Sequence, residues 1–362
     1  MSNDRSSSRL RAPPRAVFHR LLKTCTTIHS GTEALVYNTD RATLLRLWPD
    51  LLGEDATDHT EYVIKKPNRH EDFLSERLAL ELCNKRSSNH IVLLVGSFEN
   101  EEGGYLILLR AIADLETLWG HGHPVAPSLS LRSQEAAEKW FEDQMFGLAE
   151  ALTNVHCHLG TAENPVFGIH GDIKASNVLF YKALDNTMPG TLKLADFGAS
   201  QFFDSLATAS ATCFSAGNGS YTAPESALEQ PQSQAVDVWS LGCLMLECIV
   251  WSVEGPDGRL HFAQSRRHQS HPYGLSLTAD YFFRMEPAIN DTSQSKPFVT
   301  EVNPAVTERI NLLKDCAHAP AKRVALLSLI QKRMLMVNPR ERITSAGASE
   351  ELRFILYGEY NQ

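Results

Sequence analysis

The chain has 362 residues, 43% of them hydrophobic and 21% charged, with a formal net charge of −9. That is ordinary globular composition, enough for one bilobal domain with additions or for two small ones. The acidic balance lacks the footprint of a general nucleic-acid binder, and no apolar run reads as a bilayer span, so neither nucleic acid nor membrane is expected as a partner. Cys25, Cys83, Cys157, Cys213, Cys243, Cys248 and Cys316 are scattered, odd in number and form no CxxC pair. They point to reduced thiols in a cytoplasmic or nuclear setting and to small buried hydrophobes, against a disulfide framework or a zinc site.

The start, MSNDRSSSRLRAPPR, is polar and basic and has no apolar core of a signal peptide. Residues 1–16 are therefore expected to be a disordered tail. Short strands are predicted at Ala34–Tyr37, Tyr62–Lys66, Ile91–Phe98 and Tyr105–Leu109. Between them, Phe73, Leu74, Leu78 and Leu82 recur at helical spacing over Glu71–Asn84 and predict an amphipathic helix. Helices dominate from Ser133. Gln134–His158 carries Phe141, Met145, Leu148, Leu152 and Val155 on one stripe, bounded by Gly160. A hairpin of Val178–Tyr181 and Leu192–Ala195 follows, turning at Pro189-Gly190. Val236–Trp251 is apolar nearly all round and predicts a buried helix. Val253–Pro304, rich in Pro, Gly, His and Ser, reads as the longest irregular stretch. Val306–Leu313, Val324–Val337 and Ser345–Leu356 are the last predicted helices. A strand-rich first third and a helix-rich remainder imply an α+β chain with two lobes.

The chemistry concentrates in His170-Gly171-Asp172-Ile173-Lys174-Ala175-Ser176-Asn177, just before the hairpin. Phosphoryl transfer needs a carboxylate to orient the incoming hydroxyl, a cation to screen the moving group and an oxygen ligand for a metal ion. The second hairpin strand leads into Asp196-Phe197-Gly198, whose carboxylate suits Mg²⁺. HxDxKxxN, then hairpin, then DFG resembles the eukaryotic protein kinase family of serine/threonine type. The resemblance runs roughly from Phe18 to Leu356.

It implies a two-lobed kinase fold, with a small strand-rich N-lobe at 17–111 and a larger helical C-lobe at 112–362 that carries an insertion at about 253–304. It also implies ATP and Mg²⁺ as cofactors and a protein as the acceptor. Asp172 and Lys174 take the catalytic positions, and Asn177 and Asp196 those of the metal ligands. Lys65 stands where a lysine pairs with the α- and β-phosphates, and Glu76 where its partner lies. Val36 belongs to the phosphate-covering segment, Leu108 stands beside the adenine, and Asp114 matches a ribose contact or equally a helix N-cap. Tyr221-Thr222-Ala223-Pro224-Glu225 looks like the end of the activation segment, Arg342 like the partner of Glu225, and Asp237-Val238-Trp239 like the helix that anchors the catalytic loop. The stretches around Asn303-Pro304 and Leu326–Leu335 are similar to kinase-like proteins of filamentous fungi.

Three departures stand out. In the phosphate-covering loop, aligned over His29–Val36, only Gly31 remains of the three glycines. Gly171 stands where many family members carry an arginine that receives a phosphate, so Ser205, Thr208, Ser210, Thr212 and Ser215 are expected to be a plain polar loop. Asn218 and Gly219 replace a threonine and proline. The insertion, with His261, His268, His271, Arg266 and Arg267, fits no metal spacing and is expected to be solvated or partner-binding. The reading is a protein kinase. The rival is a pseudokinase scaffold or a nucleotide-regulated binding protein, and a small-molecule phosphotransferase is a third class.

Overall fold

Period-two alternation decides the first third of the chain. In the computed structural model, which describes residues 10, 12–30, 34–48, 61–86, 88–120, 134–157, 166–183, 189–204, 219–269, 280–286, 298–316 and 319–358, five strands form one antiparallel sheet. They are β1 (Thr26–Ser30), β2 (Ala34–Asp40), β3 (Glu61–Pro67), β4 (Leu94–Asn100) and β5 (Gly103–Leu109), in the order β1-β2-β3-β5-β4. Tyr62 and Ile64 of β3, with Tyr105 and Ile107 of β5, face an outer cluster. Val63 of β3, with Leu106 and Leu108 of β5, faces the main core. Successive side chains point to opposite sides, so one sheet serves two cores.

The outer cluster is closed by two helices that the sequence pattern missed, α1 (Arg15–Thr24) and α2 (Arg41–Leu47). Phe18 of α1 meets Phe98 and Tyr105 edge-on at 5.0 and 4.8 Å. Trp48, just after α2, packs 5.0 Å from Phe98. Asp40 caps α2 by accepting the Thr43 amide at 2.7 Å. The tail expected over 1–16 therefore needs correction. Residues 1–9 and 11 lie outside the described residues, but the Leu10 amide donates to the Ser97 carbonyl and α1 begins at Arg15. Burying Phe18 gives this stretch an apolar anchor that outweighs its polar composition.

Helix α3 (His70–Cys83) crosses the inner face of the sheet. Its buried face is Phe73, Glu76, Arg77, Ala79, Leu80 and Cys83, whereas Leu74 and Leu78 are exposed. The predicted apolar stripe was thus rotated. The helix turns a glutamate inward because that carboxylate has a buried partner.

Strand β6 (Ala113–Asp114) and α4 (Leu115–Gly120) lead into the larger lobe. There α5 (Gln134–His156) packs on β7 (Phe167–Ile169) and on the hairpin β8 (Val178–Tyr181) and β9 (Thr191–Leu194). After β10 (Gln201–Phe203) and the short α6 (Pro224–Ala227), α7 runs over Ala235–Gln269. It breaks at Gly255 (φ 72°, ψ −167°), and Pro256 opens its second half. Two expectations change here. The irregular stretch at Val253 is helical to Gln269 and continues, after residues 270–279, into strands β11 (Phe283–Glu286) and β12 (Phe298–Val302). And Ala235–Arg267 is long and apolar enough to cross a membrane, but 83% of its most apolar window is buried inside the protein, so the core accounts for its apolarity. Helices α8 (Pro304–Asp315), α9 (Ala321–Leu329) and α10 (Ser345–Tyr357) complete the lobe, with a π turn at Ile330–Met334. The described cysteines are all unpaired.

Replacing Phe18 by alanine should cost about 3–5 kcal/mol, the range for a buried phenylalanine. The check is urea denaturation of wild type and variant. An unchanged midpoint would show that α1 adds nothing to the lobe.

Candidate active site

Strand β3 presents Lys65 on the inner face, opposite Val36 of β2 and Leu106 of β5. Its neighbour Lys66 points to the other side, 5.6 Å over the Tyr105 ring. Lys65 Nζ donates to Glu76 Oε1 at 2.8 Å and to Asp196 Oδ1 at 2.9 Å. Glu76 arrives on α3 of the small lobe, and Asp196 arrives just after β9 of the large one. Ser75 adds a second tie between them, donating to the Ser200 carbonyl at 2.8 Å. One ammonium thus joins both lobes. Burial disfavours its charge, but the two carboxylates outweigh burial and raise its pKa. For Asp196 burial also opposes ionisation, and the Lys65 charge and hydrogen bond overcome it, so its pKa is lowered. Glu76 lies deeper, and burial pushes its pKa up despite Lys65.

Asp196 is held at φ 60°, ψ 72°, a left-handed conformation that costs a non-glycine residue energy and here aims its carboxylate at Lys65. Phe197 behind it packs 4.7 Å from the His170 ring.

The loop at 170–177 hangs from α7. The buried Asp237 carboxylate accepts the His170 amide at 2.7 Å, the Gly171 amide at 2.8 Å and the His156 ring nitrogen at 2.8 Å. Burial raises its pKa, but these donors and the nearby His170 outweigh it, and the net pKa is lowered. Gly171 sits at φ 82°, where a Cβ would come 3.0 Å from the Ala199 carbonyl oxygen. A glycine takes that conformation without strain. Downstream, Lys174 Nζ donates to Asp172 Oδ2 at 2.6 Å. Asn177 turns its amide nitrogen to Asp172, donating to the carbonyl at 2.9 Å and to Oδ2 at 2.8 Å. That leaves the amide oxygen of Asn177 as the end for a cation. One carboxylate (Asp196) and one amide oxygen (Asn177) form a hard-oxygen set that suits Mg²⁺ sharing its shell with phosphates and water. Among the described residues, no group of three or more His, Cys, Asp or Glu makes a separate metal cage.

The remaining expected residues fall as follows. Leu108 is buried in β5 opposite Val63. Val36 is half-buried against the main core, on the Lys65 side of the sheet. Asp114 accepts the Thr117 amide at 2.7 Å and so caps α4. Gly31, Asn218 and the five hydroxyl residues of the 205–215 stretch lie outside the described residues. Arg342 forms a buried two-pronged pair with Glu225 at 2.7 and 2.9 Å and stacks on Trp239. Sequence reasoning missed His156, which has no motif of its own. It also placed Arg266 in a solvated or partner-binding insertion, but Arg266 is fully buried between the Phe262 and Phe282 rings and bound to Glu247 at 2.6 Å. The available signal was Glu247 itself, an acid inside the run Leu244–Trp251, which must find a partner if buried.

A family model described as "Protein kinase domain" matches residues 54–352. The chain belongs to the protein kinase family. It is 26% identical over 322 residues to human "Mitogen-activated protein kinase kinase kinase 5", covering 84% of this chain and 20% of that protein. It is 33% identical over 145 residues to "Mitogen-activated protein kinase kinase kinase 2" of Arabidopsis thaliana, covering 36% of this chain and 21% of that protein. It is 28% identical over 221 residues to "Mitogen-activated protein kinase HOG1" of Wallemia muriae, covering 60% of this chain and 67% of that protein. The chain thus spans about a fifth of the length of the first two relatives. These likenesses carry the family and do not address a grouping with filamentous-fungal proteins.

The lowered pKa of Asp237 stabilises the fold at pH values above the unfolded aspartate value of about 3.9, and that stability is lost as pH falls through the folded value. Asp237→Asn should therefore be less stable at pH 7 and lose less of its melting temperature than wild type on acidification. Glu76, shifted the other way, is common to both proteins and cancels in the difference. Melting curves from neutral pH down to the aspartate range check this, and parallel acid limbs would refute it. Arg342→Met should cost about 3–5 kcal/mol by stranding a buried carboxylate, and adding Glu225→Leu should recover most of the loss.

Proposed function

We propose that this chain is an ATP-dependent protein kinase that transfers the γ-phosphoryl group to serine or threonine hydroxyls of a protein substrate. The observation that carries the reading is the Lys65 bridge to Glu76 and Asp196, which holds the phosphate-anchoring cation and a metal-binding carboxylate together across the lobes. Lys65 anchors the α- and β-phosphates, and Glu76 keeps its side chain extended into the cleft. Asn177 and Asp196 would hold Mg²⁺, which would supply neutralisation of the negative charge on the phosphates. Asp172 orients the acceptor hydroxyl and takes its proton. Lys174, already on Asp172, screens the charge of the group in flight. Val36 and Leu108 enclose the base, and Asp114 meets the ribose with the carboxyl oxygen that does not cap α4. Catalysis is then mainly positioning and charge neutralisation, which suits a loose transition state.

The test is transfer from labelled ATP with Mg²⁺ to a generic protein acceptor. Because two relatives are named as kinases of kinases, an inactive kinase belongs among the acceptors. Asp172→Asn should lower transfer at least about 10²-fold. Lys65→Met should do the same, and a chelator should abolish transfer. No transfer, combined with no thermal shift on adding Mg²⁺–ATP, would overturn the reading in favour of a scaffold.

A further inference from the structure

A hollow of about 520 Å³ opens beside the catalytic loop. Asp172, Lys174, Ser220 and Tyr221 line it, together with Glu116 of α4 and Arg259 of α7. The deeper acids lining it are already engaged. Glu247 is 2% exposed, and it accepts Arg266 on Oε1 at 2.6 Å and the Tyr221 hydroxyl on Oε2 at 2.6 Å. Asp280 accepts the Ser220 hydroxyl and, at 3.2 Å, Arg266. A basic side chain entering the hollow meets carboxylates that have partners.

Arg259 differs from these groups. Its guanidinium lies 4.8 Å over the Trp119 ring, and Nη1 reaches Glu247 at 3.5 Å. Those two contacts support the guanidinium independently of Glu116. There Nη2 donates to Glu116 at 2.6 Å, and the Glu116 side chain is 50% exposed. Burial of the Glu116 carboxyl outweighs the help of Arg259 and raises its pKa, so this carboxylate gains hydration by leaving. The fork of an arginine is suited to receive another carboxylate in its stead.

We propose that Arg259 is a specificity-determining residue that reads an acidic side chain flanking the acceptor serine or threonine, the incoming carboxylate exchanging with Glu116. The proposal rests on the kinase reading and names the substrate class: hydroxyl residues in acidic surroundings. Specificity comes from both signs, since Arg259 attracts a carboxylate and repels a flanking lysine or arginine. Glu116 keeps the hollow closed to weak competitors until an acidic segment displaces it.

The experiment measures binding of fluorescent peptides to the full chain with Mg²⁺–ATP present. The acceptor serine is replaced by alanine, and glutamate, alanine or lysine is placed at each of the nearest flanking positions. Glutamate peptides should bind about five- to tenfold more tightly than alanine peptides at one or more positions, with lysine peptides weakest. Arg259→Gln should erase that order. Glu116→Gln, a change at a half-exposed side chain that the fold tolerates, should tighten glutamate peptides severalfold by removing the competitor. Lysine peptides binding as well as glutamate peptides, or a glutamate preference unmoved in both variants, would overturn the proposal. Because these peptides accept no phosphate, their binding order is independent of transfer. A chain that labels no acceptor and shows no thermal shift with Mg²⁺–ATP refutes the kinase reading, whereas one that labels acceptors without acidic preference refutes only this inference.

Discussion

Two carboxylates from different lobes share a single half-buried ammonium. Lys65 sits on a strand of the small lobe, Glu76 on the helix beside it and Asp196 at the end of a hairpin in the large lobe. Each group alone would be expensive to bury; together they leave a net negative charge facing the cleft. That residual charge makes the site receptive to a divalent cation. It also makes the position of α3 a property of the whole molecule, because the helix can withdraw only by stranding Lys65 and releasing the Ser75 bond to the large lobe.

The second constraint lies deeper. Asp237 takes two consecutive backbone amides of the loop that carries Asp172 and a histidine ring on one carboxylate. The loop is thereby fixed from below, with Gly171 in a conformation that a side chain would strain. Asp172, Lys174 and Asn177 follow within a few residues and bond to one another, so their mutual geometry is set before any substrate arrives. Preorganisation of this kind is what positioning catalysis requires.

Much of this was legible in the sequence, for a physical reason. Asp172, Lys174, Asn177, Asp196 and Lys65 are polar groups at fixed spacing around a hairpin and on a strand, and their pattern survives without knowledge of packing. Leu74 and Leu78 misled because periodicity reports apolar residues, whereas α3 turns inward the face that carries Glu76. Helix α1 was missed because its apolar residues, Phe18 and Leu22 among them, lie in a short basic stretch, and the partners Phe98 and Tyr105 are distant in sequence. The stretch after Val253 read as irregular because Gly255 and Pro256 break the pattern. In the fold they break one helix and start the next. The charges there pair across the lobe, the buried Arg266 with Glu247 and Arg259 with the half-exposed Glu116, and local spacing carries no trace of such pairs.

The rival reading, a fold kept only as a scaffold, can be weighed on energetic grounds. A buried ion pair is a poor way to stabilise a protein, since well-packed apolar side chains of similar volume do as well or better. The interior of this chain follows that rule over most of its volume, with leucine, phenylalanine and tryptophan filling both cores. It departs from the rule at Arg342–Glu225 and Arg266–Glu247, and again at Lys65, Glu76 and Asp196, where charge is held under a lowered aspartate pKa and a left-handed backbone. Perturbed ionisation, strain and charge coincide at the cleft between the lobes, beside the loop that carries Asp172. That combination is what marks a functional site, and a half-buried cation beside a metal-binding carboxylate is the arrangement that phosphoryl transfer uses.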